Sequence, residues 1–235
     1  MLHTLSTRWM PVLCLVLLAL APACAQAPDA DGDGMSDAAE AVLGSDPKVA
    51  DAFTPVVTRK PSDKVADRGR FVTGVALANA GGDRFLWRVE FADAWPKENA
   101  NFILYVDADN DPKTGRPDHG CEWMLRATNG EGGNTAYAAN GQTITAGMPR
   151  VFVDGRTVYL SWDMDFKQQD GKSLFRLCVL SETWEPHKAA DSIPYFAAQG
   201  PAAGTRPKQK MDSDLGASVG MERTCGPRTV DALLE

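Results

Sequence analysis

The stretch RFLWRVEFA, residues 84–92, shows most clearly how this chain folds. Large apolar side chains alternate along it with charged ones: Phe85, Trp87, Val89 and Phe91 stand against Arg84, Arg88 and Glu90. Successive side chains of a β-strand point to opposite faces of the sheet, so this period of two indicates a strand with one buried face. The stretch therefore predicts a half-buried strand that lies on a hydrophobic core.

The rest of residues 71–196 carries the same signal. Four further strand-like runs follow: NFILYVDAD, CEWMLRAT, RVFVDGRTVYLSWDM and SLFRLCVLSE. Turn residues such as NGEGGN and QQDGK lie between them. The first of the four runs is densely apolar and suits a central strand, and Asp154-Gly155 indicates a hairpin turn. We therefore predict a mainly β fold, an antiparallel sandwich or barrel. No helical pattern suggests the crossover helices of an α/β enzyme.

The N-terminal residues 1–25 predict a secretory signal peptide. Its apolar run, Val12–Leu20, is shorter than the roughly 20 residues that span a bilayer. An internal anchor helix is the alternative. Lipidation of Cys24 is a second alternative, which would make the chain an outer-membrane lipoprotein, although Ala21-Pro22-Ala23 is a poor lipobox. In every case but the anchor, the chain is expected outside the cytoplasm, secreted to the extracellular space or the periplasm.

Charge and cysteine content narrow the function further. The formal charge is −7, which argues against a nucleic-acid partner and suits cation binding. No other stretch is apolar enough to cross a membrane, so no transmembrane segment is expected after the leader. Cys121, Cys178 and Cys225 follow the leader. In an oxidising compartment we expect pairing, and we favour Cys121 with Cys178 because both lie in strand-like runs.

Residues 29–40, DADGDGMSDAAE, carry the strongest chemical signal. Their acids follow the spacing D-x-D-x-D-G-x5-E, and calcium takes about six to eight oxygen ligands at about 2.3–2.6 Å. Gly34 permits the sharp turn, and a short helix over residues 37–43 ends at Gly44. The expected Ca²⁺ ligands are the side chains of Asp29, Asp31, Asp33, Asp37 (through water) and Glu40, and the carbonyl of Met35. The alternative is a solvated acidic linker.

Two features separate this loop from an EF-hand: no helix precedes Asp29, and its apolar residue is Met35 at loop position seven rather than eight. The longer pattern DADGDGMSDAAEAVLGSDP, residues 29–47, instead resembles the bacterial form of the thrombospondin type 3 repeat. The resemblance implies calcium held mostly by Asp side chains in an extracellular setting. Only one such repeat is present.

The chain thus divides into five predicted parts. A signal peptide (1–25) precedes the thrombospondin type 3-like calcium loop (26–48). Residues 49–70 contain Pro55 and Pro61 and predict a linker or an extended edge. The β-sandwich domain covers residues 71–196, and a Gly- and Pro-rich C-terminal tail covers residues 197–235.

A second acidic loop lies in YVDADNDPKTGRPDHGCEWML, residues 105–125, with alternate acids at Asp107, Asp109 and Asp111. Pro112 stands where an EF-like loop needs glycine. Two interpretations stay open: a solvated turn whose Asp side chains cap the backbone, or a calcium or sodium site with these three ligands.

This loop also carries a second resemblance. The run FILYVDADNDPKTGRPDHGCEWML, with FLWRVEF before it and ADSIPYF well after it, resembles the family-9-type carbohydrate-binding sandwich and its DOMON-like relatives. In those families a strand ends in Asp-x-Asp-x-Asp, a Thr-Gly follows, and the next strand opens with an acid. The resemblance implies a β-sandwich, a structural metal in some members, and ligand binding on the sheet or its loops.

Aromatic side chains are the candidate carbohydrate contacts. Trp87 and Trp162 lie in alternating strands and are expected in the core. Trp95 and Trp184 lie in loops beside or near prolines and are expected to be exposed, and Trp123 lies beside the second acidic loop; these three are the candidate ligand residues.

Together these observations predict an exported calcium-binding protein with a ligand-binding β-sandwich, carbohydrate being the favoured ligand. The alternative is a structural or adhesive cell-surface protein that binds a protein partner. A secreted hydrolase is the third candidate, but no catalytic residues are identifiable. GASVG, residues 216–220, follows no strand and precedes no histidine, as an α/β-hydrolase would require. We therefore expect no enzyme.

Overall fold

The structure is a computed structural model that describes residues 27–61, 64–138, 140–144 and 148–204. The predicted signal peptide, the lipidation alternative at Cys24, Cys225 and the tail from residue 205 onward lie outside the described residues. Within the described part, about half of the chain is strand, 51%, and 6% is helix, which confirms the mainly β fold.

The described residues form one α-helix, one 3₁₀ turn and twelve strands. The helix α1 spans Asp37–Leu43, and the 3₁₀ turn spans Arg68–Arg70. The strands are β1 Thr54–Thr58, β2 Val72–Gly81, β3 Arg84–Phe91, β4 Ala100–Asp107, β5 Trp123–Thr128, β6 Glu131–Tyr137, β7 Thr143–Ile144, β8 Arg150–Asp154, β9 Thr157–Asp163, β10 Lys167–Gln169, β11 Lys172–Thr183 and β12 Lys188–Pro201.

These strands form two sheets in which all neighbours are antiparallel. The first sheet has the order β1-β2-β3-β9-β8. The second has the order β10-β11-β4-β5-β6-β7, and β12 runs along the other edge of β11. The two sheets form the predicted sandwich. The Asp154-Gly155 turn joins β8 to β9, and Gly155 has φ +56°, as the sequence suggested.

The core lies between the sheets, and β3 shows why it forms there. All four alternating apolar side chains of RFLWRVEFA are fully buried, and Trp87 pairs in register with Leu77 on β2 and Leu160 on β9. Aromatic rings fill much of this space; Trp87 makes an edge-to-face contact with Phe175 at 5.7 Å. Strand β4 is buried along its whole length between β5 and β11, which confirms it as a central strand.

The outer face of the first sheet is also covered. Met35, Ala39 and Leu43 are buried in a second apolar cluster, and their partners on the sheet are Ala78, Leu86 and Tyr159. This explains why Leu86 interrupts the charged face of β3. The acidic loop and α1 are therefore packed against the first sheet of the sandwich.

Two predicted boundaries differ from the strands observed. Residues 49–70 contain β1, which pairs with β2 at the edge of the first sheet, so the extended-edge alternative is the one found. Strand β12 runs to Pro201, beyond residue 196, because it pairs with β11 as far as Lys172. The first residues of the predicted tail thus belong to the second sheet.

Candidate metal centre

The acidic loop is held in a tight curl by its own side chains. The carboxylate of Asp29 accepts hydrogen bonds from the backbone N–H groups of Gly32 (2.8 Å) and Gly34 (3.0 Å). Asp33 accepts another from Met35 at 2.7 Å. Both glycines have positive φ, +76° and +88°, a conformation that side chains rarely allow. The alternating acids and glycines therefore set the loop geometry locally.

This curl brings the first three acids together. Asp29, Asp31 and Asp33 each place a carboxylate oxygen within 4.8 Å of the other two. Two oxygens bound to one calcium ion lie at most about 5 Å apart, given metal–oxygen distances of about 2.3–2.6 Å. The spacing of the three carboxylates therefore fits a calcium ion.

A second group, formed by Asp33, Glu40 and Asp51, meets the same 4.8 Å criterion and shares Asp33 with the first. Glu40 is 0% exposed, and neither of its carboxylate oxygens has a hydrogen-bond partner. Burial, followed by the charges of the surrounding aspartates, raises the pKa of Glu40 to about 8. A buried carboxylate without a partner is costly, so its two oxygens fit a hard cation.

Helix α1 positions Glu40. Ser36 begins the helix by accepting a hydrogen bond from the Ala39 N–H at 3.3 Å. Gly44 ends it in the left-handed conformation at φ +81°, where its N–H donates to the carbonyl of Glu40. The guanidinium of Arg150 on β8 donates to the carbonyl of Val42 at 2.9 Å, which ties the last turn to the sheet.

Two of the predicted ligands lie outside both groups. Asp37 accepts a hydrogen bond from the Ala30 N–H at 2.8 Å and so closes the start of the loop. Its role as a ligand through water remains a prediction. Met35 turns its side chain into the apolar contact with the sheet, and ligation by its carbonyl also remains a prediction.

Asp51 is the residue that sequence reasoning missed. It lies in the segment that we interpreted as a linker, yet it is 3% exposed and its N–H donates to Asp33 at 2.8 Å. No regular spacing from Glu40 marks it. The only available signal is an isolated acid shortly before strand β1.

Comparison with protein-family models identifies this part of the chain. Residues 29–50 match the bacterial TSP3 repeat. TSP3 repeats are a calcium-binding family and indicate an extracellular protein, so the chain carries a motif of that class. No curated protein and no solved structure gave a match. The TSP3 repeat covers the acidic loop and α1, and the carbohydrate-binding resemblance of residues 71–196 stays a prediction.

The second acidic loop forms a different cluster from the one expected. Asp107 and Asp109 come together with Glu122, the acid that opens the approach to β5, each with an oxygen within 4.8 Å of the others. Asp111 stays outside the group and instead donates its backbone N–H to Asp107 (3.0 Å) and Asp109 (2.9 Å). The family resemblance, in which the next strand opens with an acid, was the signal for Glu122.

Protein groups already offset much of this charge. The Arg176 guanidinium lies 3.1 Å from Asp107, and the Ala108 N–H donates to Glu122 at 2.7 Å. The Thr114 hydroxyl lies within 3.1 Å of Asp109 and Glu122. Burial nevertheless raises the pKa of Asp107 to about 6. These partners favour the hydrogen-bonded turn, and an ion at this loop remains a prediction.

The candidate tryptophans are more buried than rings that stack on a carbohydrate need to be. Trp95 is 3% exposed and packs against Phe91 and Phe102, so its predicted exposure is wrong. The backbone N–H of Trp95 donates to the carbonyl of Gly155 at 2.9 Å, which draws this loop onto the sandwich. Trp123 is half-buried, 6.1 Å from Trp162 between ring centres.

The other three predicted tryptophan positions can be compared with their burial. Trp184 is half-buried, and its ring meets that of His187 at 4.9 Å. Trp87 is in the core as predicted, whereas Trp162, also predicted there, is half-buried and packs against the core.

The expected bridge between Cys121 and Cys178 is absent, and both are free thiols. The strand order explains this result. Cys178 lies on β11, Cys121 precedes β5, and β4 runs between these strands with Tyr105 opposite Cys178. Two strand spacings amount to about 10 Å, more than the Cα separation of about 4.4–6.8 Å that a disulfide allows.

In the described part of the chain, no helix combines the length and the apolar character needed to cross a membrane.

Proposed function

We propose that this chain is an exported calcium-binding structural protein in which the ion holds the TSP3 repeat against the outer face of a β-sandwich. The observation that carries the proposal is Glu40, a buried carboxylate without a protein partner for either oxygen. A divalent cation supplies the charge that this position lacks.

The short helix α1 links ion binding to docking. Ala39 and Leu43 on it pack against the sheet, while Glu40 between them lies close to the carboxylates of Asp33 and Asp51. Without the ion, the negative charges of Asp33 and Asp51 repel the ionised form of Glu40 at short distance. Binding calcium therefore removes a repulsion that acts directly beside the apolar contact, and it strengthens the packing of the repeat.

This arrangement suits a protein that works outside the cell. Extracellular calcium modules bind with dissociation constants of about 10⁻⁴–10⁻³ M, so they stay occupied where calcium is abundant. A calcium-fixed repeat gives the sandwich a defined N-terminal attachment, as an adhesive or structural surface protein requires. The proposal includes no catalytic step.

Carbohydrate binding by the sandwich is a narrower proposal. With Trp95 in the core, it depends on the half-buried rings of Trp123 and Trp184. Glycan-array binding that is lost in Trp184→Ala, while calcium binding is kept, supports it. Wild-type protein that binds no glycan, but does bind a surface protein, supports the adhesive function instead.

The proposed function is tested by calorimetric titration of the full protein with CaCl₂ after EDTA treatment. We expect saturable binding and slower hydrogen exchange of the α1 amides when calcium is present. Magnesium at the same concentration is the control ion, because its octahedral demand makes an all-carboxylate cage less suitable. Absence of calcium binding at millimolar concentration, with α1 exchange equal in calcium and EDTA, would overturn the proposal.

A further inference from the structure

We infer that Asp51, which lies just beyond the TSP3 repeat, binds the same calcium ion as Asp33 and Glu40 and so ties that ion to the first strand of the sandwich. The inference rests on the proposed function and deepens it. It assigns a ligand that the repeat motif, residues 29–50, does not include.

The first argument is the placement of the oxygens. One carboxylate oxygen from each of Asp33, Glu40 and Asp51 lies within 4.8 Å of the other two. Oxygens that share one calcium ion lie within about 5 Å of one another, so a single ion can contact all three. Both Glu40 and Asp51 are more than nine-tenths buried, so bulk water does not offset their charges.

The second argument is independent of this clustering. Both oxygens of Glu40 lack a hydrogen-bond partner, although buried polar atoms in proteins are nearly always paired. The side chain is therefore directed to a group that the protein itself does not supply. With Asp33 and Asp51 as its neighbours, a cation is the group that best fits this position.

The third argument is the path of the chain after Asp51. Its carbonyl accepts a hydrogen bond from the Phe53 N–H at 2.9 Å, and Thr54 begins β1. The Phe53 ring lies beneath the Arg88 guanidinium at 4.6 Å and beside Tyr159 at 6.4 Å. An ion bound to Asp51 therefore restrains the segment that enters the first sheet.

This gives the ion two attachments to the sandwich. Glu40 connects it to α1, which packs on the outer face of the first sheet, and Asp51 connects it to β1, which forms the edge of that sheet. Calcium then stabilises the junction between repeat and sandwich as well as the loop itself.

The test compares Asp51→Asn with Asp46→Asn in the full protein by calcium titration. Asp46 is an acid of the same segment that caps the Lys48 N–H at 3.1 Å and lies outside both carboxylate groups, so it is a matched control. Losing outer partners of metal ligands costs about 10- to 100-fold in affinity, and a direct ligand is expected to cost no less. We expect that loss for D51N and a change of less than about twofold for D46N.

Thermal melting separates a ligand from a merely structural residue. For D51N we expect a smaller calcium-dependent rise in melting temperature than for wild type. Its melting temperature in EDTA should not fall, because one of the repelling charges is gone. Equal affinities of D51N, D46N and wild type would overturn the assignment of Asp51 and leave the proposed function standing. Failure of the wild type to bind calcium would overturn the proposed function itself.

A measurement on the unmodified protein covers the case in which D51N fails to fold. Calcium held by Asp51 is expected to slow hydrogen exchange at the Asp51 and Phe53 amides, as well as in α1. Slower exchange in α1 with no change at Asp51 and Phe53 would also overturn the inference.

Discussion

Removing calcium should make the stability of this protein fall as pH rises, and Glu40 is the expected cause. Burial raises the pKa of Glu40 to about 8 in the absence of an ion, whereas an unfolded chain gives glutamate its ordinary value of 4.5. Between these values the folded state holds a proton that the unfolded state has lost. The free energy of unfolding therefore decreases with pH across this window.

The size of the effect follows from proton linkage. A difference of one bound proton changes the free energy of unfolding by about 1.4 kcal/mol per pH unit. From pH 6.5 to 8 this amounts to at most about 2 kcal/mol for Glu40 alone. Asp107, whose pKa burial raises to about 6, acts in the same direction but mainly below this range. Calcium removes this trend because the ion binds the deprotonated carboxylate and displaces the proton, so that folded and unfolded states then bind the same number of protons.

Urea unfolding at pH 5, 6.5 and 8, followed by tryptophan fluorescence, measures this dependence in EDTA and in calcium. Glu40→Gln cannot titrate, so we expect its stability in EDTA to lose most of the pH dependence above pH 6.5. Glu131→Gln, at an exposed position on β6, is the control and should behave as wild type. Identical slopes for wild type and Glu40→Gln in EDTA would refute the reasoning.

Three further predictions test the packing around the candidate sites. Leu43→Ala should lower the free energy of unfolding by about 2–5 kcal/mol in calcium, because Leu43 is buried against the first sheet. The neighbouring Val42→Ala, at a position 42% exposed, should change it by less than about 0.5 kcal/mol; equal effects in urea unfolding would contradict the docking of α1. Arg176→Gln should destabilise by about 2–4 kcal/mol in EDTA, because it leaves the buried Asp107 without its ion-pair partner. A melting temperature equal to wild type would show that the ion pair contributes nothing. Iodoacetamide should modify Cys121 only after denaturation, because burial raises the pKa of its thiol to about 12, and peptide mass mapping of native protein should find it unlabelled.

Much of the local structure could be predicted because it depends on neighbours in the chain. The alternation in residues 84–92 predicted β3 and its buried face correctly. The spacing of acids and glycines predicted the curled loop, and Gly44 predicted the end of α1. Each of these features is decided within a few residues, by the period of a strand or by a side chain that hydrogen-bonds its own backbone.

The errors share a different physical origin. Trp95 was expected on the surface because it precedes Pro96 in a loop, but the loop folds onto the core between the sheets. The disulfide between Cys121 and Cys178 was expected from strand-like context, but β4 separates their strands. Both results depend on which strands become neighbours, and no local sequence pattern specifies that order.

The sequence alone thus determined the class of the fold, the acidic calcium motif and four of the acids in its two carboxylate clusters: Asp29, Asp31, Asp33 and Glu40. Only the tertiary structure decided that Asp51 joins them, that Glu122 replaces Asp111 in the second cluster, and that α1 packs on the sheet. The reason is that these contacts join residues that are far apart in the sequence. The arrangement of all the strands determines which of those residues come close together.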